Sequence, residues 1–323
     1  MLRSMDVVGN PSSVHTEGRA AKATIETART QIAQAIGASN ADIVFTSGAT
    51  EAAALALRGR DLVASGLEHD AVTAWITPSL LVKDGRVGIT EAEQSVLQLA
   101  NSETGLIQDV TGVAVSDITQ GFGRVPFAFD WSGVGMAFLS AHKFGGPKGI
   151  GALIMPAGTD LAAQIKGGGQ EMGRRAGTEN IIGIAGMGAA AEAAQKDLAN
   201  GRWDQVAQFR NILEKAIETE APDTIFVAQD MKRLPNTSCF LTQGWKGETQ
   251  VMAMDLAGFA ISAGSACSSG KTRGSRVLQT LGYADELASC AIRVSLGLNT
   301  TKDDVLRFAQ AWTAKRNRKM TAA

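Results

Sequence analysis

The chain has 323 residues, 45% of them hydrophobic, with 31 basic against 32 acidic side chains. That length suggests about two domains of ordinary size, and the even charge lacks the basic face that a nucleic-acid binder needs. Three histidines and three cysteines without a CxxC pair exclude a histidine-rich metal site, a zinc finger and a disulfide framework, and they point to a reducing, cytoplasmic setting.

The opening MLRSMDVVGNPSS has no apolar core of the kind a secretory signal carries. Asn10 to Ser13 reads as a turn, and Glu17 to Ile36 as an alanine-rich amphipathic helix stopped by Gly37. DIVFTSGATEAAALAL (42–57) is a short β-branched run, a small-residue turn and a helix; DLVASGLEHDAV (61–72) repeats strand and turn. VGIT, SVLQLA, VAVSD, AFLSA and GALIMP are further short apolar strands. Strands alternating with helices predict an α/β fold on a parallel sheet. IIGIAGMGAAAEAA (181–194) is too short to span a bilayer and reads as a buried helix.

From Arg202 the texture changes. A charged helix (Trp203 to Glu220) precedes TIFVA, TSCFLT, a helix from Thr249 to Leu256, FAISAG and two closing helical stretches. The boundary falls near Gly201, giving a large domain over 1–200 and a smaller α+β domain over 201–323.

The chemistry concentrates in a few places. In SGATE, Ser47 to Thr50 sit where a strand hands over to a helix. This is either an ordinary N-cap or a phosphate cradle of free backbone N–H groups. His69 in EHDAV and Asp117 in VSDITQ each follow a strand, the position where open α/β sheets build sites. Each has a plain alternative, a hydrogen-bonded loop histidine and a helix-capping carboxylate. Lys143, in SAHKFGGPKGIGALIM, is the strongest single residue. An amine in a dry, glycine-walled pocket suits a Schiff base, because desolvation keeps it nucleophilic. Pyridoxal phosphate asks for a lysine, an acid for the pyridine nitrogen, a phosphate cradle and a stacking group. Lys143, Asp117, Gly48–Thr50 and His69 supply that set. GGGQEMGRRAGTEN (167–180) is too polar and long for filler. Cys267, in SAGSACSSGKTRG, lies among small polar residues beside Lys271 and Arg273, which favour a thiolate. Cys239 and Cys290 alternate with apolar residues and read as core.

Taken in order, GNPSSVH, FTSGATE, EHDAV, NSETG, D-x-x-Q, SAHKFGGPKGIGAL, GGGQE, RAGTEN, SAGSACSSG and IRVSLG resemble the cysteine desulfurases, the NifS/IscS-like members of the class V aminotransferases. The likeness runs from Gly9 to about Thr301. It implies the fold type I of pyridoxal-phosphate enzymes: a large domain on a mainly parallel, seven-stranded type of sheet, with a smaller α+β C-terminal domain. It further implies a homodimer with the cofactor on Lys143, Asp117 on the pyridine nitrogen, Gln120 on the ring hydroxyl and His69 stacked on the ring. Ala49, Thr50, Ser140 and His142 would hold the phosphate with Thr178 of the partner subunit. Arg293 would grip the carboxylate of L-cysteine, with Asn10 also on the substrate side, and Cys267 would accept sulfur on a loop of the family's longer type.

The implied reaction turns L-cysteine into L-alanine and leaves a persulfide on Cys267 for an iron–sulfur scaffold or other acceptor protein, or for tRNA thiolation. Neither direct nucleic-acid binding nor a membrane is implied. A lyase acting on selenocysteine or cysteine sulfinate, or a weakly active scaffold homologue, are the competing readings. Three departures stand out. Relatives carry an upstream strand like YLDNAAT, whereas this sequence opens just ahead of GNPSS. The second Asn of the family's NNETG is Ser102, and the link from Gly105 to Asp117 is short and predicts a lost helix.

Overall fold

A computed structural model describes residues 1–264 and 274–321. Cys267, Lys271 and Arg273 lie outside the described residues. The chain forms two compact units: Met1–Leu80, Ile89–Ala100 and Gln108–Asn200 make the first, and Leu81–Gly88, Asn101–Ile107 and Gly201–Ala323 the second.

The first unit is built on a sheet whose strands run Ala41–Thr46, Gly151–Pro156, Met136–Ser140 and Val115–Asp117 in spatial order. Parallel bridges Val96–Val115, Val63–Ser95 and Ser65–Leu80 carry the ladder three positions further, to seven. SVLQLA lies in this extension, with Leu97 N donating to Val115 O (3.0 Å) and Leu99 N to Asp117 O (2.8 Å). Strands Val115–Asp117 and Met136–Ser140 are buried along their whole length. That burial on both faces explains why Met136–Ser140 reads as an almost continuous apolar run instead of an alternating one.

The sheet is mainly parallel with one exception. Strand Gly151–Pro156 runs antiparallel to both neighbours. Only the residues from Ala141 to Ile150 separate it from Ser140, too few for the helical crossover that a parallel return requires. No helix occurs between Gly105 and Val115 among the described residues, in line with the short link there.

Helix Thr16–Ala35 buries Gly18, Ala21, Ile25, Ala28 and Ile32, a single stripe at alternating spacings of three and four. It packs on helix Ile181–Ala199. A Cβ on Gly188 would lie 2.7 Å from the Ala28 Cα, so the two backbones meet at close range. The run from Ile181 is thus a buried helix, and no helix among the described residues is long and apolar enough to cross a membrane.

In the second unit, strands Ile225–Phe226, Thr237–Leu241, Ala291–Ser295 and Ser262–Ala263 form an antiparallel sheet in that order. Phe240, Trp245 and Trp312 pack its core with residues of helices Arg202–Glu220, Gly247–Asp255 and Lys302–Thr321. Trp312 Nε1 donates to Gln250 Oε1 at 2.9 Å, which satisfies its one polar atom. Cys239 and Cys290 are buried free cysteines, and burial pushes the Cys239 thiol up to about 12.

Two excursions join this unit from earlier in the chain. Of VGIT, only Val87 lies in a strand, in a hairpin of Val82–Lys83 with Arg86–Val87. The NSETG stretch is tied in by Leu234 N to Gly105 O (2.8 Å) and Ile107 N to Lys232 O (3.0 Å). Beside that tie, Arg233 donates to both carboxylate oxygens of Glu214 (2.8 and 2.9 Å), and Ser238 Oγ donates to Glu214 Oε1 (2.7 Å). Both partners of the pair are buried. Removing the carboxylate alone strands a buried guanidinium. Glu214→Ala is therefore expected to destabilise the second unit by about 3–5 kcal/mol, measured as a shift of its denaturant midpoint; a shift below about 1 kcal/mol would show that the pair is solvated.

Candidate active site

Strand Gly151–Pro156 runs opposite to both neighbours, so Ala41–Thr46 and Met136–Ser140 run the same way. Val115–Asp117 is parallel to the latter. The carboxyl ends of these strands, and of the segment at 63–65, therefore share one edge of the sheet, where open α/β sheets bind ligands. Each strand delivers its candidate residues there: Thr46 leads into Ser47–Thr50, Ser65 into His69, Asp117 ends its strand, and Ser140 leads into His142 and Lys143.

The cradle comes from two strands that meet through a third. Gly151 pairs with Thr46 on one side and with Ser140 on the other. A Cβ on Gly151 would stand 2.7 Å from Gly48 Cα and 2.6 Å from Leu139 O. Only glycine lets the Ser47–Gly48 turn lie against Ser140. A Cβ on Gly48 would in turn reach within 3.5 Å of Ser140 Oγ, and Ser140 Oγ sits 2.9 Å from His142 Nδ1. Helix Ala49–Leu57 starts here with no side-chain cap. Its first N–H groups are thus left for an anion, which the helix dipole favours. Glu51 does not fill that place. Its carboxylate turns back to accept from Ser47 N (2.8 Å) and Arg175 Nε (2.9 Å). His142 is held below the ordinary histidine range, first by burial and then by Lys143 and Lys148.

Asp117 is the buried acid of the site. Burial pushes its carboxyl upward, against the hydrogen bonds of Thr119 and the positive fields of His69 and Lys143. Thr119 N donates to its Oδ1 at 2.9 Å. His69 caps the short helix Asp70–Thr73, its Nδ1 accepting from Ala71 N at 3.0 Å. Lys143 ends the 3-10 turn Ala141–Lys143 and is half-buried, not sealed in the dry pocket expected from its glycines. The turn lifts it past the strand end, which leaves one side open. Gln120 follows Asp117 on the same turn and is half-buried.

Sequence reading missed Arg124. Its Nη1 donates to Gln120 O (2.6 Å) and its Nη2 to Lys143 O. The one signal was an arginine within a buried glycine-rich turn, QGFGR, and nothing in the sequence linked it to Lys143. Glu171 was also not singled out within its loop. It accepts from Arg29 Nη1 and Nη2 (3.1 and 3.0 Å) and from Phe45 N (2.9 Å). These bonds hold Glu171 and Met172 in left-handed backbone, with φ of 48° and 56°.

Arg293 and Ser102 belong to the second unit. Arg293 Nη1 donates to Ser102 O (2.7 Å) and Nη2 to Ser262 Oγ (3.2 Å). Its Nε is buried without a partner among the described residues. Ser102, expected from the resemblance among the cofactor-binding residues, meets Arg293 through its backbone carbonyl. The NSETG turn itself is organised by Asn101, whose Oδ1 accepts from Glu103 N, Thr104 N and Thr104 Oγ1 (2.9, 2.9 and 3.0 Å). Asn10 and Thr178 are exposed, and Asn10 Oδ1 accepts from Ser12 N within its own turn (2.9 Å).

The cradle open to an anion, the buried acid and the lysine at one sheet edge fit pyridoxal phosphate, and with the sheet they define an enzyme of the fold type I class that depends on it. The aminotransferase class-V profile matches residues 2–308. A cysteine desulfurase IscS of Dictyoglomus turgidum is 36% identical, the match covering 92% of this chain and 84% of that protein. A cysteine desulfurase of Cereibacter sphaeroides is also 36% identical, covering 94% and 87%. The crystal structure of a NifS-like protein from Rickettsia africae superposes with a TM-score of 0.88 at 30% identity, over 98% of this chain and 94% of that one. The chain belongs to the class-V aminotransferase family.

If Gly151 is what brings the Gly48 turn to Ser140, Gly151→Ala should weaken pyridoxal phosphate binding by at least about tenfold, the cost of losing one or two anion contacts. Titration of apo-protein with the cofactor checks this, and wild-type affinity in the variant would remove Gly151 from the cradle.

Proposed function

We propose that this chain is a cysteine desulfurase, which takes sulfur from L-cysteine onto Cys267 and releases L-alanine. The observation that carries the reading is the cluster at one sheet edge, where the strand ends deliver Asp117, His69 and Lys143 together with the cradle of Gly48, Ser140 and His142. The desulfurases named above, which match over nine-tenths of the chain, support the choice of substrate.

When bound, pyridoxal phosphate supplies an electron sink for charge that develops on the substrate Cα. Asp117 would sustain it: burial makes its own charge costly, and a protonated ring nitrogen would stabilise that charge in return. Ser140, His142 and the N–H groups of Ala49 and Thr50 would hold the phosphate, with Thr178 supplied by the partner of a homodimer. His69 would lie against the ring, its orientation set by the bond from Ala71 N, and Gln120 would meet the ring hydroxyl. Lys143 would hold the cofactor and move the proton at Cα. Arg293 would bind the substrate carboxylate through its buried Nε, with Asn10 near the substrate. The Cys267 thiolate then attacks the sulfur of L-cysteine: a sulfur–sulfur bond forms, the carbon–sulfur bond breaks, and the carbon takes up a proton as alanine. Cys239 cannot substitute, because a thiol held up to about 12 is protonated at neutral pH.

The persulfide would pass to an iron–sulfur scaffold or another sulfur-acceptor protein in the cytoplasm. The test is an absorbance spectrum before and after L-cysteine and a reductant, with sulfide and alanine assayed in the same tube. A visible band that shifts on cysteine, with sulfide formed by wild type and abolished in Cys267→Ala, is expected. A coloured protein that never yields sulfide would overturn the reading in favour of another substrate.

A further inference from the structure

Two loops at the sheet edge carry the acid and the amine, and they are joined by more than the strands beneath them. After Asp117 the chain turns back: Phe122 N donates to Ile118 O (2.8 Å) and Arg124 N to Gly121 O (3.0 Å). From this turn Arg124 reaches across. One end of its guanidinium donates to Gln120 O (2.6 Å), on its own turn, and the other to Lys143 O. The side chain is half-buried and its Nε is shut off from solvent. Next to it, the rings of Phe122 and Phe144 meet edge to face, with centroids 4.6 Å apart. Phe144 follows Lys143 directly, so the two turns are tied at the lysine's own carbonyl and at the residue after it.

We propose that Arg124 is a positioning residue for Lys143: its guanidinium fixes the backbone of the lysine turn to the backbone of the Asp117–Gln120 turn and so sets where the amine stands relative to the acid. The proposal rests on the reading of Lys143 as the cofactor lysine. The chemistry favours arginine for this task. A planar guanidinium donates from two nitrogens in a fixed fork, whereas an ammonium is a point donor that satisfies such a geometry less well. Burial draws the Arg124 guanidinium down to about 10, which still leaves it charged at neutral pH and able to make charge-assisted bonds to both carbonyls. Misplacement of a reacting group by about 1 Å costs on the order of 10²-fold in rate.

The experiment compares the full-length wild type with Arg124→Met and Arg124→Lys. Three quantities are read: pyridoxal phosphate content after alkaline release, the visible circular dichroism of the bound cofactor, and kcat and KM for alanine formation from L-cysteine. Arg124→Met is expected to keep full cofactor content, to change the dichroism of the cofactor band, and to lower kcat per bound cofactor by roughly 10²-fold with KM moved by less than about threefold. Arg124→Lys, which can still reach one carbonyl, is expected to fall between the two; if the methionine variant does not fold, the lysine variant alone decides. Wild-type kcat per bound cofactor and an unchanged dichroism in the folded variants overturn the proposal. So does a loss of activity that only follows loss of cofactor and of thermal stability, since that is a structural role. A wild type with no cofactor band, or one that makes no alanine, fails the functional reading itself and takes this proposal with it.

Discussion

Gly151 is the first residue of the strand that separates Thr46 from Ser140, and a methyl group there would lie 2.7 Å from the backbone of Gly48. Much of the site's geometry descends from that missing side chain. The antiparallel strand has to thread between two parallel ones, and it can bring their carboxyl ends together only if its own end occupies almost no space. With it in place, the uncapped start of helix Ala49–Leu57, the Ser140 hydroxyl and the His142 ring converge from separate elements. The sequence shows this glycine only as one of several in GGPKGIG. Its neighbour Gly149 has φ of 77° and open space around it, so it serves the turn. Gly151 serves packing.

A second constraint works through buried charge. Asp117, Arg124, Glu171 and the Arg233–Glu214 pair all hold ionisable groups away from water, each at a cost that has to be offset locally. Glu171 is offset by Arg29 and the Phe45 N–H, and Glu214 by Arg233 and Ser238. Asp117 differs. Its carboxyl is driven upward by burial, because the fields of His69 and Lys143 do not make good what desolvation removes. Glu171 and Glu214 each have a guanidinium and a further donor, whereas Asp117 is left with burial as the larger effect. That imbalance is the condition under which an added positive charge at the site is stabilised.

The large-scale order was legible in the sequence because it is written in local patterns. The helix from Thr16 has a clear stripe and a glycine stop, the strands at 136 and 151 are apolar runs, and the charged helix from Arg202 is obvious. The direction of strand Gly151–Pro156 was not read, although the ten residues before it, Ala141 to Ile150, contain the reason. The excursions at 81–88 and 101–107 could not be read at all. Nothing in VKDGRVG or NSETG announces that these stretches leave one unit for the other, since the ties that hold them, Leu234 N to Gly105 O and Ile107 N to Lys232 O, are backbone bonds that any sequence can make. Arg124 escaped for the same reason, because its two acceptors are carbonyls.

Backbone acceptors also explain why the change at Ser102 leaves the turn unharmed. The three donors of NSETG converge on the Asn101 side chain, and the contact to Arg293 uses the carbonyl of residue 102. The turn therefore depends on the first asparagine of the pair, while the second position is free to vary without moving Arg293. The guanidinium is held by Ser102 O and Ser262 Oγ, and the nitrogen left over, Nε, is buried. A buried donor with no acceptor costs about 1–3 kcal/mol. One end of the guanidinium is fixed by a backbone carbonyl and the other by a hydroxyl, while the third nitrogen has no acceptor among the described residues, and an anion placed there would offset that cost.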